Sequence, residues 1–419
     1  YPYDYVRWTE QRNMEAVLAL LAEEKLDVEA LTTHQYPFEE ALDAYNLIQN
    51  ETEPFVGILL DYDVEQPQDE VVRIRSEASH VPTGQLGVGF VGAGNYASVH
   101  LLPHVQTHSR ATLIGLATAT GMNAEQKADK FGFDYCTTDL QPLLDDDTID
   151  TIFVATRHST HAEFAKRAIE AGKHVFVEKP VVVTREQLDI LRDTYEEAQA
   201  GQPTGLMAGL NRRFAPMVQE LRDTLPPGRP RQMIYRVNGG PIDTDSWLHR
   251  PEEGGGMLIG EMVHFIDLMQ FLADERPAQV YAQSLTLGRS DRADSDNVSI
   301  TITFDDGSTG TLCYNTVGDD AASKERLEVY SNGVVAVLDD FQRLEVTRDG
   351  STSTSRAWSQ DKGQPNQIDA TVENFRMQGR APIGFKELIA GMQTVFTAQK
   401  SLREDAPVEL QPYQVTVAP

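Results

Sequence analysis

Three clusters in this 419-residue sequence combine side chains and backbone suited to chemistry on a small molecule. The first is Val177-Glu178-Lys179-Pro180, which follows the short apolar run His174–Val177. It therefore sits at a strand end, where open α/β sheets take their ligands. A lysine there, crowded by a cationic ring, releases its proton more readily and serves as a general acid or base. The plainer alternative is a surface lysine beside a loop proline. The second cluster is Gly254-Gly255-Gly256, followed by a helical run with Gly260, Glu261, His264 and Asp267. Spacings of three and four put 261 with 264, and 260 with 264, on one helix face. A triple glycine lets backbone approach a ligand. A His and a Glu on one face beneath it suit proton transfer to a hydroxyl-bearing substrate. The alternative is a histidine satisfied by Asp267. The third cluster is Gly92-Ala93-Gly94-Asn95-Tyr96-Ala97. Gly92 permits a tight turn, Gly94 lets backbone approach a pyrophosphate, and Ala97 is small enough for close helix–strand packing. The helix that starts here offers free N–H groups to phosphates. An ordinary glycine-rich turn is the bland alternative, which the strand–turn–helix context disfavours.

These clusters need elements to position them. Leu86–Val91 is a buried-strand run, and 98–105 is helix-compatible. Ala111–Ala117, 151–155 and His174–Val177 read as further strands. Between and after them lie helices at 124–131 (N-cap Asn123), 161–171 and, from a capping box at Thr184 and Gln187, to about Ala200. This alternation predicts a parallel, doubly wound sheet. After Asn211-Arg212-Arg213-Phe214 the texture changes to alternating runs: Gln232–Asn238, 278–287, 297–304, 309–314 and 326–330. Asp305-Asp306-Gly307-Ser308 is a hairpin turn. Helices at 257–272, 364–377 and 385–401 would cover one face. The other, expected to be apolar, predicts a homodimer or homotetramer. The fold class is thus α/β: a Rossmann sheet at 85–182, then an α+β domain at 183–419 with an open-faced, mostly antiparallel sheet. Residues 1–62 read as an αβαβ remnant with no phosphate loop, and 63–84 as a polar linker.

Composition narrows the function. Lys+Arg number 36 against 64 Asp+Glu, for a net charge of −28, and only ten of the basic residues are lysine. Such a surface repels nucleic acid and anionic membrane, so neither is expected as a partner. It is also a salt-adapted habit, an acidic soluble enzyme being the other reading. No run of 18 apolar residues occurs, no signal peptide is evident, and two cysteines give no disulfide framework; a cytoplasmic location is expected. His100, His104 and His108 share a spacing that Pro103 interrupts, and no metal is expected. Trp247 and Trp358 could stack on a sugar or fill an interface. The second strand runs into Thr118-Ala119-Thr120-Gly121, with neither the acid of an NAD site nor an arginine for a 2′-phosphate. The cofactor is NAD or NADP.

Taken together, Gly92-Ala93-Gly94, Ala155-Thr156 with His161-Ala162-Glu163, the run 172–180, Asn211-Arg212-Arg213-Phe214, and Gly254-Gly255-Gly256 with His264-Phe265-Ile266-Asp267 resemble the Gfo/Idh/MocA family. These are relatives of glucose–fructose oxidoreductase and inositol dehydrogenase, and the resemblance spans 86 to about 402. It implies NAD(P)-linked oxidation or reduction of a sugar, nucleotide-sugar or cyclitol carbon, with a possible place in surface-polysaccharide synthesis. It implies Lys179 and His264 as the catalytic pair. Gly92, Gly94, Asn95, Tyr96, Ala97, Thr118, Thr156, His161, Glu178, Lys179 and Pro180 would hold the cofactor. Arg157, His158, Arg213, Trp247 and His264 would meet the substrate. Two departures stand out. The family commonly has Asp four residues before the His, where this chain has Gly260; Glu261 substitutes, or the site is incomplete and the protein is a non-catalytic NAD(P)- or sugar-binding module. Arg157-His158 replaces the usual Pro-Asn, which would place positive charge at the substrate mouth for an anionic substrate. Upstream, 26–34, 37–41 and 44–45 resemble the C-terminal end of zinc-type medium-chain alcohol dehydrogenases, which implies the tail of a longer polypeptide. That family's metal-binding and cofactor-binding parts are absent, so His34 reads as structural.

Overall fold

The computed structural model describes residues 9–63, 71–75, 81–243, 245–250, 252–285 and 296–411, and divides into two units, Tyr1–Asp69 and Glu70–Pro419. In the first unit, α1 (Glu10–Ala22) opens on Thr9, whose side chain accepts from Arg12 N. Then come β1 (Thr32–Pro37), α2 (Ala41–Asn50) and β2 (Gly57–Asp61), which pairs parallel with β1. Among its described residues only Ala44 and Leu47 are buried.

The second unit carries both large sheets. Strand β3 (Val71–Arg73) precedes β4 (Leu86–Val91), β5 (Ala111–Ala117), β6 (Tyr135–Thr137), β7 (Thr151–Val154), β8 (His174–Val177) and β9 (Leu206–Ala208). They form one sheet in the order β3-β6-β5-β4-β7-β8-β9, parallel except for β3. The central β4 is buried at every position, as a strand covered on both faces must be. The crossover helices are α3 (Leu102–Thr107), α4 (Gly121–Phe131), the short α5 (Gln141–Leu144), α6 (His158–Glu170) and α7 (Arg185–Ala200). Both hydrogen bonds of the predicted capping box form at the start of α7. Asn123, by contrast, is not an N-cap: α4 starts two residues earlier, with Thr120 in that position.

Two boundaries also move. The Rossmann sheet continues past 182, because α7 crosses over to β9, a parallel neighbour of β8. The stretch 63–84 is not all linker, because β3 closes the far edge of the sheet against β6. Both strands have three residues, too short to show alternation.

The second sheet contains β10 (Gln232–Asn238), β11 (Pro277–Ser284), β12 (Val298–Phe304), β13 (Thr309–Asn315), β14 (Glu325–Ser331), β15 (Val334–Asp339), β16 (Arg343–Arg348), β17 (Ser351–Arg356) and β18 (Val408–Glu409). Their order is β17-β16-β15-β14-β10-β13-β12-β11-β18, antiparallel except for β10 beside β13. Strand β11 ends before the expected 287; positions 286 and 287 lie outside the described residues. The inner face is apolar (Tyr235, Ile300, Ile302, Leu312, Leu327 and Val329 are all buried). Helix α8 (Pro216–Thr224) packs on β15 and β16, and α11 (Phe385–Glu404) on β11. Helix α9 (Val263–Ala273) is buried all round, against α11 and β13, while α10 (Gln364–Gln378) packs on α3. The outer face corrects the expectation of an apolar surface. It carries Ser299, Thr301, Thr311, Arg326 and Glu328, and the apolar Ile234 and Val337 are kept apart by Glu328 between them.

Candidate active site

The glycine turn fits a dinucleotide. Gly92 has φ +91°, and a Cβ there would come within 2.4 Å of Ala155 O, so the turn admits no side chain. A Cβ on Gly94 would meet nothing within 4 Å, which leaves open space over the turn for a phosphate. Asn95 and Tyr96 are exposed at the helix start, and Ala97 is buried against the sheet. The helix opens through a π-helical turn, Ala97–Leu101, before α3. Thr118 Oγ1 donates to Thr120 O at 2.9 Å, closing the loop after β5. The reading missed Lys127 on α4, whose Nζ donates to Ser98 Oγ at 3.0 Å and so brings a cation beside the glycine turn.

The end of β8 delivers Glu178 and Lys179 into the cleft. Glu178 is buried because Gly209 has no side chain; a Cβ there would lie 2.7 Å from the carboxylate. One oxygen accepts from Lys179 N at 3.1 Å, and the other has no partner. Burial pushes this carboxyl up to about 7, against the pull of Lys179. His161 fixes the same loop. Its ring nitrogens lie 2.8 Å from Pro180 O and 3.2 Å from Thr156 O, and burial keeps the ring neutral. Thr156 is likewise engaged, with Oγ1 2.7 Å from Thr160 Oγ1. A neutral imidazole has one N–H to donate, so His161 bonds one of these two carbonyls and thereby holds the loop that carries Glu178 and Lys179.

Lys179 Nζ donates to Gly260 O at 2.9 Å and to Glu261 Oε1 at 2.5 Å. Both partners belong to a π-helical turn, Leu258–Met262, that leads into α9. Such widened turns recur at functional sites. Burial alone would raise Glu261, but Lys179, with Arg212 and Lys324 behind it, outweighs that and holds the carboxyl below its usual range. The position of the missing aspartate is filled differently. A Cβ on Gly260 would sit 3.2 Å from His158 Cε1, so the imidazole occupies that space. His158 Nδ1 lies 2.9 Å from Gly254 O, and burial drives its pKa down to about 3.

That neutral, buried ring is a correction to its reading as a positive substrate contact. Its edge meets Trp247 at 4.7 Å. The Arg157 guanidinium covers the same indole at 4.3 Å and lies 3.6 Å from Glu253. Trp247 is thus half-buried near the cleft, whereas Trp358 is fully exposed.

His264 is buried on α9 and its Nδ1 has no partner. Burial first, then Arg212, Lys179, Lys362 and Lys324, depress its pKa well below the ordinary value, so the ring is neutral. Asp267 does not hold it. That carboxylate forms a fork with Arg213, at 2.5 and 3.0 Å, and Arg213 also reaches Glu387 at 2.8 Å. Arg213 is therefore a buried structural cation and not a substrate contact. Its neighbour Arg212 makes a second fork, to Glu325 at 2.9 Å on each oxygen. Lys362 Nζ, at 2.8 Å, and Tyr235 Oη, at 2.5 Å, donate to the same carboxylate. Burial works against ionisation of Glu325, but the two cations hold its pKa far below the usual range. Sequence spacing gave no signal for this hub, whose members lie 113 and 37 residues apart. Away from the site, His108 pairs with Asp369 at 3.2 Å. No helix of the described residues is long and apolar enough to cross a membrane.

Comparison with known proteins agrees with this geometry. Residues 86–201 match the model of the Gfo/Idh/MocA oxidoreductase family, NAD-binding Rossmann fold, and 220–333 match a C-terminal domain model of the same family, together more than half of the chain. Inositol 2-dehydrogenase of Rhizobium meliloti is 29% identical over 257 residues, 59% of this chain and 74% of that protein. The 1,5-anhydro-D-fructose reductase of Ensifer adhaerens is 28% identical over 226 residues, 52% of this chain and 66% of that one. Among solved structures, an oxidoreductase domain protein from Kribbella flavida superposes with a TM-score of 0.69 at 19% identity, covering 78% of this chain and 99% of its own. A levoglucosan dehydrogenase in complex with NADH and levoglucosan gives 0.67 at 20% identity, with 78% and 99% covered. At such identity these two likenesses speak for the fold. With the glycine turn, the Glu178-Lys179-Pro180 loop and the family match converging, the chain belongs to the Gfo/Idh/MocA family of NAD-binding oxidoreductases.

Proposed function

We propose that this enzyme oxidises or reduces one CH–OH carbon of a sugar, nucleotide-sugar or cyclitol, using NAD or NADP held over Gly92, Gly94 and Ala97. The observation that carries the reading is Lys179 Nζ, held 2.5 Å from Glu261 Oε1 at the end of β8. When bound, the cofactor supplies hydride exchange. The chain's own residues do the rest. Lys179 takes the hydroxyl proton in oxidation or returns it in reduction, and Glu261 orients it. His264, neutral and with a free ring nitrogen, bonds the reacting hydroxyl. The reading as a non-catalytic module rested on Gly260; Glu261 supplies the carboxylate that position lacks.

The decisive measurement is a panel of sugars, nucleotide-sugars and cyclitols with NAD and NADP, followed at the nicotinamide absorbance band in molar salt. Turnover lost in Lys179→Ala, with cofactor affinity kept within a few fold, is the expected result. A silent panel beside tight cofactor binding would overturn the catalytic assignment. Further parts of the proposal are a cytoplasmic, salt-adapted homo-oligomer with a role in surface-polysaccharide synthesis. The first unit is proposed as the C-terminal remnant of a medium-chain dehydrogenase-like domain, supported by its parallel βαβ core.

A further inference from the structure

The cofactor cradle has a second end, beyond the glycine turn. In a dinucleotide fold the pyrophosphate rests on that turn, and the adenine ribose lies past the end of the second strand. Here the second strand is β5, and it is tied to the turn: Gly92 N donates to Ala117 O at 2.8 Å. An acid beyond this strand marks NAD, because it accepts from the ribose 2′-hydroxyl and would repel a 2′-phosphate. The residues that follow β5 are Thr118, Ala119, Thr120 and Gly121, and none of the four is acidic. Thr118 Oγ1 is turned back onto Thr120 O at 2.9 Å. A Cβ on Gly121 would meet nothing within 4 Å, so there is open space beside the loop.

A cation reaches this end from α4, which packs on both β5 and α3. Lys127 sits in the second turn of α4, half-buried, and its Nζ donates to Ser98 Oγ at 3.0 Å. Ser98 Oγ in turn donates to Ala93 O at 3.0 Å, and Ser98 N to Gly94 O at 2.9 Å. The ammonium is thus tethered to the glycine turn from the helix that follows β5. Its partner there is a neutral hydroxyl. In a chain with 64 acidic residues and ten lysines, no carboxylate among the described residues pairs with this one. Glu125, two positions earlier, lies on a different face of α4. An ammonium has three N–H donors, so two remain after Ser98 is served.

We propose that the enzyme takes NADP(H) in preference to NAD(H), and that the Lys127 ammonium binds the ribose 2′-phosphate. This rests on the cofactor placement in the proposed function and narrows it to one dinucleotide. None of residues 118–121 opposes the charge of the phosphate, and Lys127 supplies the countercharge that the loop itself lacks. Lys127 is a specificity residue and takes no part in hydride or proton movement.

The test is titration of the whole protein with NADPH and with NADH, followed by quenching of protein fluorescence at fixed salt. The wild type should bind NADPH at least ~10-fold more tightly, as hydrogen bonds to a charged group imply. Lys127→Gln should lose that margin while keeping its NADH affinity near wild type, and Lys127→Arg should retain most of it. Calorimetric titration with adenosine 2′,5′-bisphosphate and with AMP should show the same Lys127-dependent margin with no nicotinamide present. NADH bound as tightly as NADPH by the wild type would overturn the inference, and so would an NADPH margin that survives Lys127→Gln. Equal weakening of both cofactors in Lys127→Gln would refute it as well, because the ammonium would then serve the pyrophosphate that they share. A Lys127-dependent NADPH margin beside a substrate panel without turnover would support it and sink the catalytic proposal instead. Binding of neither dinucleotide would remove the cofactor site, and this inference with it.

Discussion

Replacing Glu178 by glutamine isolates one buried charge. The carboxyl is fully enclosed, and its pKa rises from 4.5 to about 7 because burial disfavours the anion more than Lys179 favours it. The folded state thus binds this proton more tightly than the unfolded state does. The stabilisation is fully present below pH 4.5 and is lost as pH rises through 7. At about 1.4 kcal/mol per pH unit, the gap corresponds to about 3 kcal/mol between pH 4 and pH 8. Glutamine keeps the shape and does not titrate. It adds an amide that also lacks a partner at the unbonded oxygen, which shifts stability by an amount independent of pH. The pH-dependent part of the difference between wild type and Glu178→Gln is therefore the readout. Urea unfolding at pH 5, 6, 7 and 8 in constant molar salt should show the wild type losing ground to the variant by about 2.5 kcal/mol across the series, the rest of the loss falling below pH 5. Parallel stability curves over that range would refute the argument, because they would mean that Glu178 ionises in the folded state as easily as in water.

Other perturbations address separate parts of the molecule. Gly94→Val should weaken NAD(H) binding by at least ~100-fold in fluorescence titrations while leaving the melting temperature near wild type, since the new side chain enters open space; unchanged affinity would remove the glycine turn from the site. Glu261→Gln should slow turnover by roughly 10²-fold, and a rate equal to wild type would show that Lys179 needs no carboxylate beside it. Arg213→Ala leaves Asp267 buried and unpaired, so it should destabilise the protein by about 3–5 kcal/mol in urea unfolding, with little change in cofactor affinity. A normal unfolding midpoint with a raised KM would return Arg213 to the substrate contacts. His158, held neutral to about pH 3, takes up its proton only on unfolding. His158→Gln should therefore flatten the stability loss of the wild type as pH falls from about 6.5 to 3, and an unchanged acid limb would contradict its burial.

What could be read from the sequence was what local chemistry dictates. The Leu86–Val91 run, Gly92, the Thr184–Gln187 box and the alternation of Gln232–Asn238 each act on neighbours a few residues away, and all take the expected form. Strands β15, β16 and β17 went unnoticed for different reasons. β17, Ser-Thr-Ser-Thr-Ser-Arg, is an exposed edge strand with almost no apolar face to mark it. The placing of Glu261 against Lys179 was open because a π-helical turn has no signature in residue type. Arg213, His158 and His161 misled in a consistent way. As residue types they suit a ligand; only the fold reveals Asp267, Gly254 and Pro180 as their partners, and burial then decides their charge state.

The hub at Glu325 also bears on how the chain is made. Its carboxylate draws on Arg212 and Tyr235, which precede it, and on Lys362, which follows. Around Lys362 the backbone is tied in the same manner: Asn211 Nδ2 donates to Lys362 O, Asn366 to Phe214 O, and Gln367 to Ala208 O. During synthesis from the N-terminus, the parallel sheet has all its strands once Ala208 has emerged, but the helix after the glycine turn still lacks α10, which packs on α3. The reaction cleft must wait for the 360s, because until then Glu325 lacks one of its cations and the end of β9 lacks its clasp. One short segment, more than a hundred residues beyond the parallel sheet, thus completes both the Glu325 hub and the packing around the helix that follows the glycine turn.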